Sequence, residues 1–160
     1  TSEPQGLGTL EPSAPTTVSE AVRSVEAKAK RLKFLPAAYV SAEDSPFRHP
    51  ERVQQALTAL GEVASIWANS VESGRSAGSL KQLFKQRGFD YASAISQTSK
   101  GKWGDEYAVE YNGQRLDIAP HITIGAKQAD SCVSIHWAWD ETEKMALVAH
   151  VGRHKSNTKT

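Results

Sequence analysis

The clearest pattern of hydrophobic and polar positions along the chain lies in residues 132–152. Large apolar residues alternate there with small or polar ones, and this period of two is typical of a half-buried β-strand. The apolar positions of the first strand are Val133, Ile135, Trp137 and Trp139. After the charged turn 140–144 the alternation resumes, so the pattern predicts two antiparallel strands joined by a short turn.

The register of this strand pair follows from its apolar positions, because a shift by one residue would turn the tryptophans toward water. The predicted pairs are Trp139 with Met145, Trp137 with Leu147, and Ile135 with Ala149. Leu147 and Val151 then share the apolar face with the tryptophans. Ser134, His136 and His150 are predicted together on the opposite, polar face, with Ser134 directly across from His150.

Three helices are predicted ahead of the sheet. The first begins with a capping box at Thr17, and Pro36 stops it. The second begins near Pro50 and carries an apolar stripe that should pack against the sheet. The stripe comprises Val53, Leu57, Leu60, Ala64, Trp67 and Val71. The third helix is short, with Ser79 as its N-cap and Gly88 after its last turn.

The remaining segments complete the predicted sheet. Residues 41–50 are predicted to form a loop, because they are rich in turn residues. Asn112-Gly113 predicts a hairpin with a type I′ turn, and another short strand begins at His121. The predicted fold class is therefore α+β, with about three N-terminal helices packed on a four- to five-stranded antiparallel sheet.

The chain has 160 residues and a mass of 17.4 kDa, which is long enough to bury a core as one domain. Residues 1–16 are rich in Pro, Gly, Ser and Thr and predict a disordered linker, which leaves residues 17–160 as a single α+β domain. Because the chain begins at Thr1 with such a linker, we expect a C-terminal domain whose partner is an upstream domain of the same chain or another protein.

Charge and cysteine content narrow the class of protein. The formal net charge is +1, so any attraction to nucleic acid must come from a local basic patch. A single cysteine excludes an internal disulfide framework and agrees with a cytoplasmic location. No apolar run approaches the ~18 residues of a membrane helix, and no signal-peptide pattern is present, so no membrane partner is predicted.

Four of the five histidines lie in the predicted strands and in the tail that follows them: His121, His136, His150 and His154. Their spacing matches no metal-binding motif, and His150 and His154 would be ~13 Å apart along an extended strand. No metal and no cofactor are therefore predicted. A Ser134–His150 pair lacks the Gly-x-Ser-x-Gly elbow of many hydrolases, so nucleophilic catalysis is not favoured.

Histidine, arginine and lysine together suit the metal-independent cleavage of RNA by its own 2′-hydroxyl. Imidazoles can act as base and acid near neutral pH, and cations can stabilise the phosphorane. The predicted catalytic residues are His136, His150, Arg153 and His154. The predicted substrate-binding residues are Lys100, Lys102, His121 and Lys155, of which the two lysines at 100 and 102 lie in a Gly-rich loop beside Trp103.

Each of these residues also has a plainer interpretation. The histidines can satisfy the polar face of the sheet, and the terminal Arg-His-Lys run can be a solvated tail. Trp103 can anchor a turn to the core instead of stacking on a base. The residue types alone therefore leave a structural role open beside the chemical one.

The order of elements and the closing sequence SIHWAWDETEKMALVAHVGRHKSNTKT resemble the end of RelE- and HigB-type toxins. These are small bacterial ribonucleases of toxin–antitoxin systems, and the likeness covers roughly residues 105–160. It implies RNA binding and mRNA cleavage, often on the ribosome. By position, Arg153, His154 and Lys155 match the terminal basic residues of that family, and His136 matches a mid-sheet side chain.

Two functions of different classes are therefore open. The first is a metal-independent, endoribonuclease-like domain, a hydrolase that acts on RNA. The alternative is a non-catalytic recognition or interaction domain at the C-terminus of a larger multidomain protein, which the Pro-rich linker favours. Growth arrest of bacteria that express residues 17–160, lost in the His154→Ala variant, would distinguish the enzyme from the binding module.

Overall fold

The computed structural model describes residues 14–76, 78–93, 108–125 and 132–153. The helices in these ranges are α1 (Val18–Glu26), α2 (Pro36–Glu43), α3 (Pro50–Ser73) and α4 (Leu80–Gln86). The strands are β1 (Leu32–Phe34), β2 (Asp90–Ala92), β3 (Ala108–Tyr111), β4 (Gln114–Asp117), β5 (His121–Gly125), β6 (Cys132–Asp140) and β7 (Met145–Gly152). None of the helices described is both long and apolar enough to cross a membrane. The predicted linker lies mostly outside the described residues and, with the single domain 17–160, stays a prediction.

Five strands form one mixed sheet in the order β1-β7-β6-β5-β2. β1 lies parallel to β7, and the other neighbouring strands are antiparallel. β3 and β4 form a separate two-stranded sheet. The predicted α+β class is confirmed, but the described chain has four helices rather than three. Its main sheet is not purely antiparallel, and the predicted hairpin is not part of it.

The predicted starts of three helices are confirmed. At the start of α1, Thr17 Oγ1 accepts a hydrogen bond from the Glu20 amide at 3.0 Å. α3 begins at Pro50, and Ser79 caps α4 by accepting a hydrogen bond from the Gln82 amide at 3.3 Å. Short polar side chains and proline act on the backbone next to them, so these starts can be predicted from local sequence.

The prediction that the first helix continues to Pro36 is wrong. α1 ends at Glu26, and the chain returns to the sheet as β1, which pairs with β7. Leu32 follows Val25 by seven residues, which fits a helix, but burial in β1 alternates as it does in a strand. Pro36 therefore opens α2 instead of ending a helix, which suits a proline in the first turn. α2 also takes the first residues of the predicted loop 41–50.

α3 supplies the longest apolar surface of the main core, which it forms with the other helices and one face of the sheet. The buried stripe residues are Val53, Leu57, Leu60 and Ala64. Trp67 is half-buried, and its ring lies 4.5 Å from the ring of Trp139 between centroids. Val71, the last stripe position, is 40% exposed. The predicted stripe is therefore correct but extends about one turn beyond the core.

The β3–β4 hairpin packs against the sheet face opposite to the helices. Asn112 and Gly113 have φ values of 51° and 79°, as the predicted type I′ turn requires. The partly buried Val109, Tyr111 and Leu116 lie against a second hydrophobic cluster. This cluster comprises Leu35, Ile118, Ala138, Leu147 and Ala149. The main sheet therefore has helices on one face and the hairpin on the other.

Candidate functional site

β6 and β7 pair in a register that differs from the predicted one. The observed pairs are Trp139 with Ala146, Trp137 with Val148, and Ile135 with Val151. Between the last two pairs the register shifts, as in a β-bulge, and Ala149 is the additional residue of β7. Because most residues of β7 are apolar and its two faces are both buried, its sequence does not distinguish one face from the other.

This shift decides which residues share a face with the histidines. Leu147, which was predicted beside the tryptophans, instead lies on the face that the hairpin covers. Ser134 pairs with Gly152, so the predicted Ser134–His150 pair is wrong. His150 pairs with His136. The prediction that Ser134, His136 and His150 share one face of the sheet is confirmed, although their partners differ.

Three histidines form a row across the neighbouring strands β5, β6 and β7. His121 pairs with His136, and His136 pairs with His150. The rings of His121 and His136 are stacked, with centroids 4.6 Å apart and an interplanar angle of 17°. The rings of His136 and His150 have centroids 5.8 Å apart and meet edge to face at 73°. We call these three residues the histidine row.

Each ring of the histidine row is hydrogen-bonded to a backbone carbonyl. His121 Nδ1 lies 2.7 Å from the Ala119 carbonyl oxygen, and His136 Nδ1 lies 2.9 Å from that of Ile118. His150 uses Nε2 instead, at 2.6 Å from the carbonyl oxygen of Arg153. A carbonyl only accepts, so each of these ring nitrogens must carry a hydrogen. In the neutral rings, the basic nitrogen is therefore Nε2 in His121 and His136, and Nδ1 in His150.

The members of the row differ in exposure. His136 is 2% exposed, whereas His121 and His150 at the two ends are half-buried. α3 packs on the opposite face of the sheet, and the β3–β4 hairpin packs on the face that carries the row. A bound molecule can therefore reach the two end rings to exchange a proton with them more easily than it can reach the middle ring.

One of the predicted cations, Arg153, contacts the row through its backbone carbonyl. Arg153 follows β7 directly, and its Nε lies 3.7 Å from Asp44 Oδ2, with both side chains largely exposed. His154 and Lys155 lie outside the described residues, as do Lys100 and Lys102. The structure therefore brings the rings of His121, His136 and His150 together, whereas the Arg153 side chain pairs with Asp44. The functional roles of all the predicted site residues stay predictions.

Sequence reasoning missed two residues at this site because it did not predict α2. Ser41 Oγ accepts a hydrogen bond from the Val151 amide at 2.9 Å, and Asp44 pairs with Arg153. The signal that could have found them is Pro36, because proline favours the first turn of a helix and no helix-breaking residue follows it through residue 43.

Two further observations concern the polar groups around the row. In the described ranges, no three His, Cys, Asp or Glu side chains converge so that they could hold a metal ion. Among the same residues, two buried side-chain polar atoms have no hydrogen-bond partner, Ser134 Oγ and Trp137 Nε1. Ser134 lies on the face of the histidine row, whereas Trp137 belongs to the main core.

Comparison of the chain with protein-family models, with curated protein sequences and with solved structures finds no significant match. The function must therefore be argued from the histidine row and its surroundings.

Proposed function

We propose that this chain acts on RNA as a metal-independent, endoribonuclease-like domain whose reaction takes place at the histidine row. The observation that carries the proposal is the alignment of three imidazoles across three adjacent strands, with the two end rings half-buried. A pair of such rings can supply both the base and the acid that cleavage by the 2′-hydroxyl requires.

The proposed reaction needs no co-reactant. One end ring takes the proton from the 2′-hydroxyl, the 2′-oxygen forms a bond to phosphorus, and the bond from phosphorus to the 5′-oxygen breaks. The other end ring gives its proton to the departing 5′-oxygen, and the products are a 2′,3′-cyclic phosphate and a free 5′-hydroxyl.

The separation of the end rings is compatible with this reaction. His121 and His150 lie two strands apart, so their backbones are separated by roughly 10 Å at a strand spacing of ~4.8 Å. An in-line displacement places the entering and leaving oxygens on opposite sides of phosphorus, and each needs its own hydrogen-bonding group. Two rings on either side of a third are therefore better placed for this role than two rings in contact.

The cations in this proposal neutralise the phosphate. Among the residues that the structure describes, Arg153 is the candidate for this role, because its side chain is exposed beside the end of β7. We assign His154 a further catalytic role and Lys100, Lys102 and Lys155 to substrate binding, as their residue types suggest. The resemblance of the closing sequence to RelE- and HigB-type toxins supports the same assignment and favours a bacterial toxin–antitoxin role in the cytoplasm.

A non-catalytic recognition domain is the second candidate, and the burial of His136 favours it. His136 is 2% exposed and is hydrogen-bonded to the Ile118 carbonyl, which joins β6 to the chain before β5. A histidine with such contacts stabilises the sheet whether or not a substrate binds. The row would then shape a binding surface for RNA or for a partner protein.

The decisive experiment is cleavage of a labelled single-stranded RNA by the full chain in the presence of a metal chelator. We expect products that end in a 2′,3′-cyclic phosphate, and no cleavage of the same oligonucleotide with deoxyribose throughout. His121→Asn and His150→Asn should each lower the rate by about 10²- to 10⁴-fold, the usual contribution of a general acid or base. His49→Asn is the matched control, because His49 is the exposed histidine ahead of α3.

The outcomes separate the two candidates. Binding of RNA by the parent chain without cleavage supports the recognition domain and contradicts the enzyme. Cleavage that disappears with the chelator contradicts the metal-independent reaction. If the parent chain neither binds nor cleaves RNA, any direct action on RNA is contradicted.

A further inference from the structure

The end of β7 is held by α2 and not by a neighbouring strand on that side. β1 pairs with β7 only at Ala146, Leu147 and Val148. Beyond these residues α2 lies beside β7, and the two elements make close contact at Val151 and Gly152. His150, the member of the row at its β7 end, lies in this part of the strand, after Val148.

Ser41 forms the hydrogen-bonded link between the two elements. Its hydroxyl donates to the Ala38 carbonyl within α2 at 3.0 Å and accepts from the Val151 amide at 2.9 Å. The Val151 amide is a strand-edge donor that none of the described strands satisfies, so the serine hydroxyl takes the place of a strand at this point.

Gly152 sets the distance between the same two elements. A Cβ atom at this position would lie 2.6 Å from the Ser41 carbonyl oxygen, closer than real Cβ contacts come. The atom it would meet belongs to the backbone of α2 and cannot turn away as a flexible side chain would. Any other residue at 152 must therefore move β7 away from α2.

The orientation of the His150 ring depends on the chain path that α2 fixes. His150 Nε2 donates to the carbonyl of Arg153, three residues later, across the close contact at Gly152. Arg153 is in turn paired with Asp44 at the end of α2. If β7 moves from α2, the carbonyl that orients the ring moves as well.

We propose that α2 is the positioning element of the histidine row, and that Ser41 and Gly152 are the positioning residues that hold His150 in its orientation and tautomer. The catalytic part of this inference rests on the proposed cleavage of RNA. The structural part, which concerns the ring of His150, does not depend on that activity and can be tested without it.

The first test compares Ser41→Ala with Ser41→Thr in the full chain. Ser41→Ala should leave a folded protein in which the hydrogen of the Val151 amide exchanges with solvent faster. The NMR signals of the two His150 ring nitrogens should no longer be those of a single tautomer. Ser41→Thr keeps a hydroxyl that can bond to the helix carbonyl, and should restore both readouts. Ser45→Ala is the control, because among the described residues Ser45 Oγ accepts its hydrogen bond from the nearby Phe47 amide, at 3.4 Å, and not from β7.

The second test uses Gly152→Ala with Gly61→Ala as its control. Gly61 lies inside α3, and the nearest atom to an added Cβ is 3.7 Å away, so this substitution meets no clash. Gly152→Ala should shift the NMR signals of the His150 ring, whereas Gly61→Ala should not. If Gly152→Ala does not fold, Ser41→Ala still decides the question.

In the cleavage assay Ser41→Ala should lower kcat on the order of 10²-fold with little change in KM, as a misplacement of about 1 Å in a reacting group does. An unchanged His150 tautomer in Ser41→Ala, with a faster-exchanging Val151 amide, would overturn the inference and leave Ser41 a purely structural residue. If the parent chain does not cleave RNA, the proposed function is contradicted. The role of α2 in positioning His150 is then tested by the NMR measurements alone.

Discussion

The hydrogen bond from the His136 ring to the Ile118 carbonyl joins two segments that are distant in sequence. This bond stabilises the fold, because it gives the buried ring of His136 a hydrogen-bond partner, and a buried polar group without one is costly. His121 and His150 combine a carbonyl bond with partial exposure. At the residue scale, the row therefore divides into one ring that supports the sheet and two rings that can meet a ligand.

His136→Ala should destabilise the fold by about 2–4 kcal/mol, because it leaves a cavity and removes the partner of the Ile118 carbonyl. Urea unfolding of the variant measures this directly. His49→Ala is the control and should change the free energy of unfolding by less than about 0.5 kcal/mol, since the residue is exposed. A cost below about 1 kcal/mol for His136→Ala would mean that the ring is not packed as the structure has it.

Tyr39 gives the protein a sensitivity to alkaline pH. Burial first, and then the hydrogen bond that its hydroxyl donates to Glu26, raise its pKa from 10.0 to about 12. The folded state thus holds this proton more tightly than the unfolded state does. Its contribution to stability is complete below about pH 10 and is lost as the pH rises toward 12.

Tyr39→Phe should therefore flatten the loss of stability between about pH 10 and 12. At neutral pH the same variant should lose about 1 kcal/mol, the usual contribution of one hydrogen bond. Urea unfolding at several pH values across this window measures both effects. Equal slopes for the parent and the variant would mean that Tyr39 does not cause the alkaline decline.

At the scale of elements, β7 and α2 show where sequence patterns stop being informative. The face shared by Ser134, His136 and His150 could be predicted, because β6 places large apolar residues at every second position. The partners of these residues could not, because β7 is apolar on both faces and contains an additional residue. α2 was missed because Pro36 can end one helix or begin another, and only the tertiary contact with β7 distinguishes the two.

Trp67 lies at the edge of the main core, so its replacement by alanine should lower stability less than the replacement of a fully buried tryptophan. Its ring is half-buried against Trp139, and the aromatic contact contributes about 0.5–1.5 kcal/mol beyond the area that it buries. Trp67→Ala should therefore cost about 2 kcal/mol, below the ~3–5 kcal/mol expected for the fully buried Trp137→Ala. Equal costs in urea unfolding would contradict this placement of Trp67.

At the scale of the whole molecule, elements defined by local sequence could be predicted and long-range pairings could not. The cap at Thr17, the start of α3 and the turn at Asn112-Gly113 follow from residues within a few positions of each other. The parallel pairing of β1 with β7 joins segments more than 100 residues apart, and a strand of three residues has too short a pattern to be recognised. The separation of the hairpin from the main sheet is likewise a tertiary result.

The formal net charge of +1 means that the molecule as a whole does not attract RNA, so the proposed binding of RNA must depend on a local group of cations. Each phosphate contact with a single strand adds about 0.7 to the slope of log affinity against log salt concentration. If Arg153 makes one such contact, Arg153→Ala should lower this slope by about 0.7. Asp44→Asn should strengthen binding, because it removes the carboxylate that competes with phosphate for Arg153.

Titration of labelled RNA at several salt concentrations measures the slope for the parent and for each variant. Lys81→Ala is the control, because Lys81 is exposed on α4, which packs on the sheet face opposite to the histidine row. It removes the same charge as Arg153→Ala and changes the net charge equally, so a general charge effect would lower both slopes alike. A change confined to Arg153→Ala, with tighter binding in Asp44→Asn, would assign the RNA contact to the end of β7. Equal slopes for the two alanine variants would contradict that assignment.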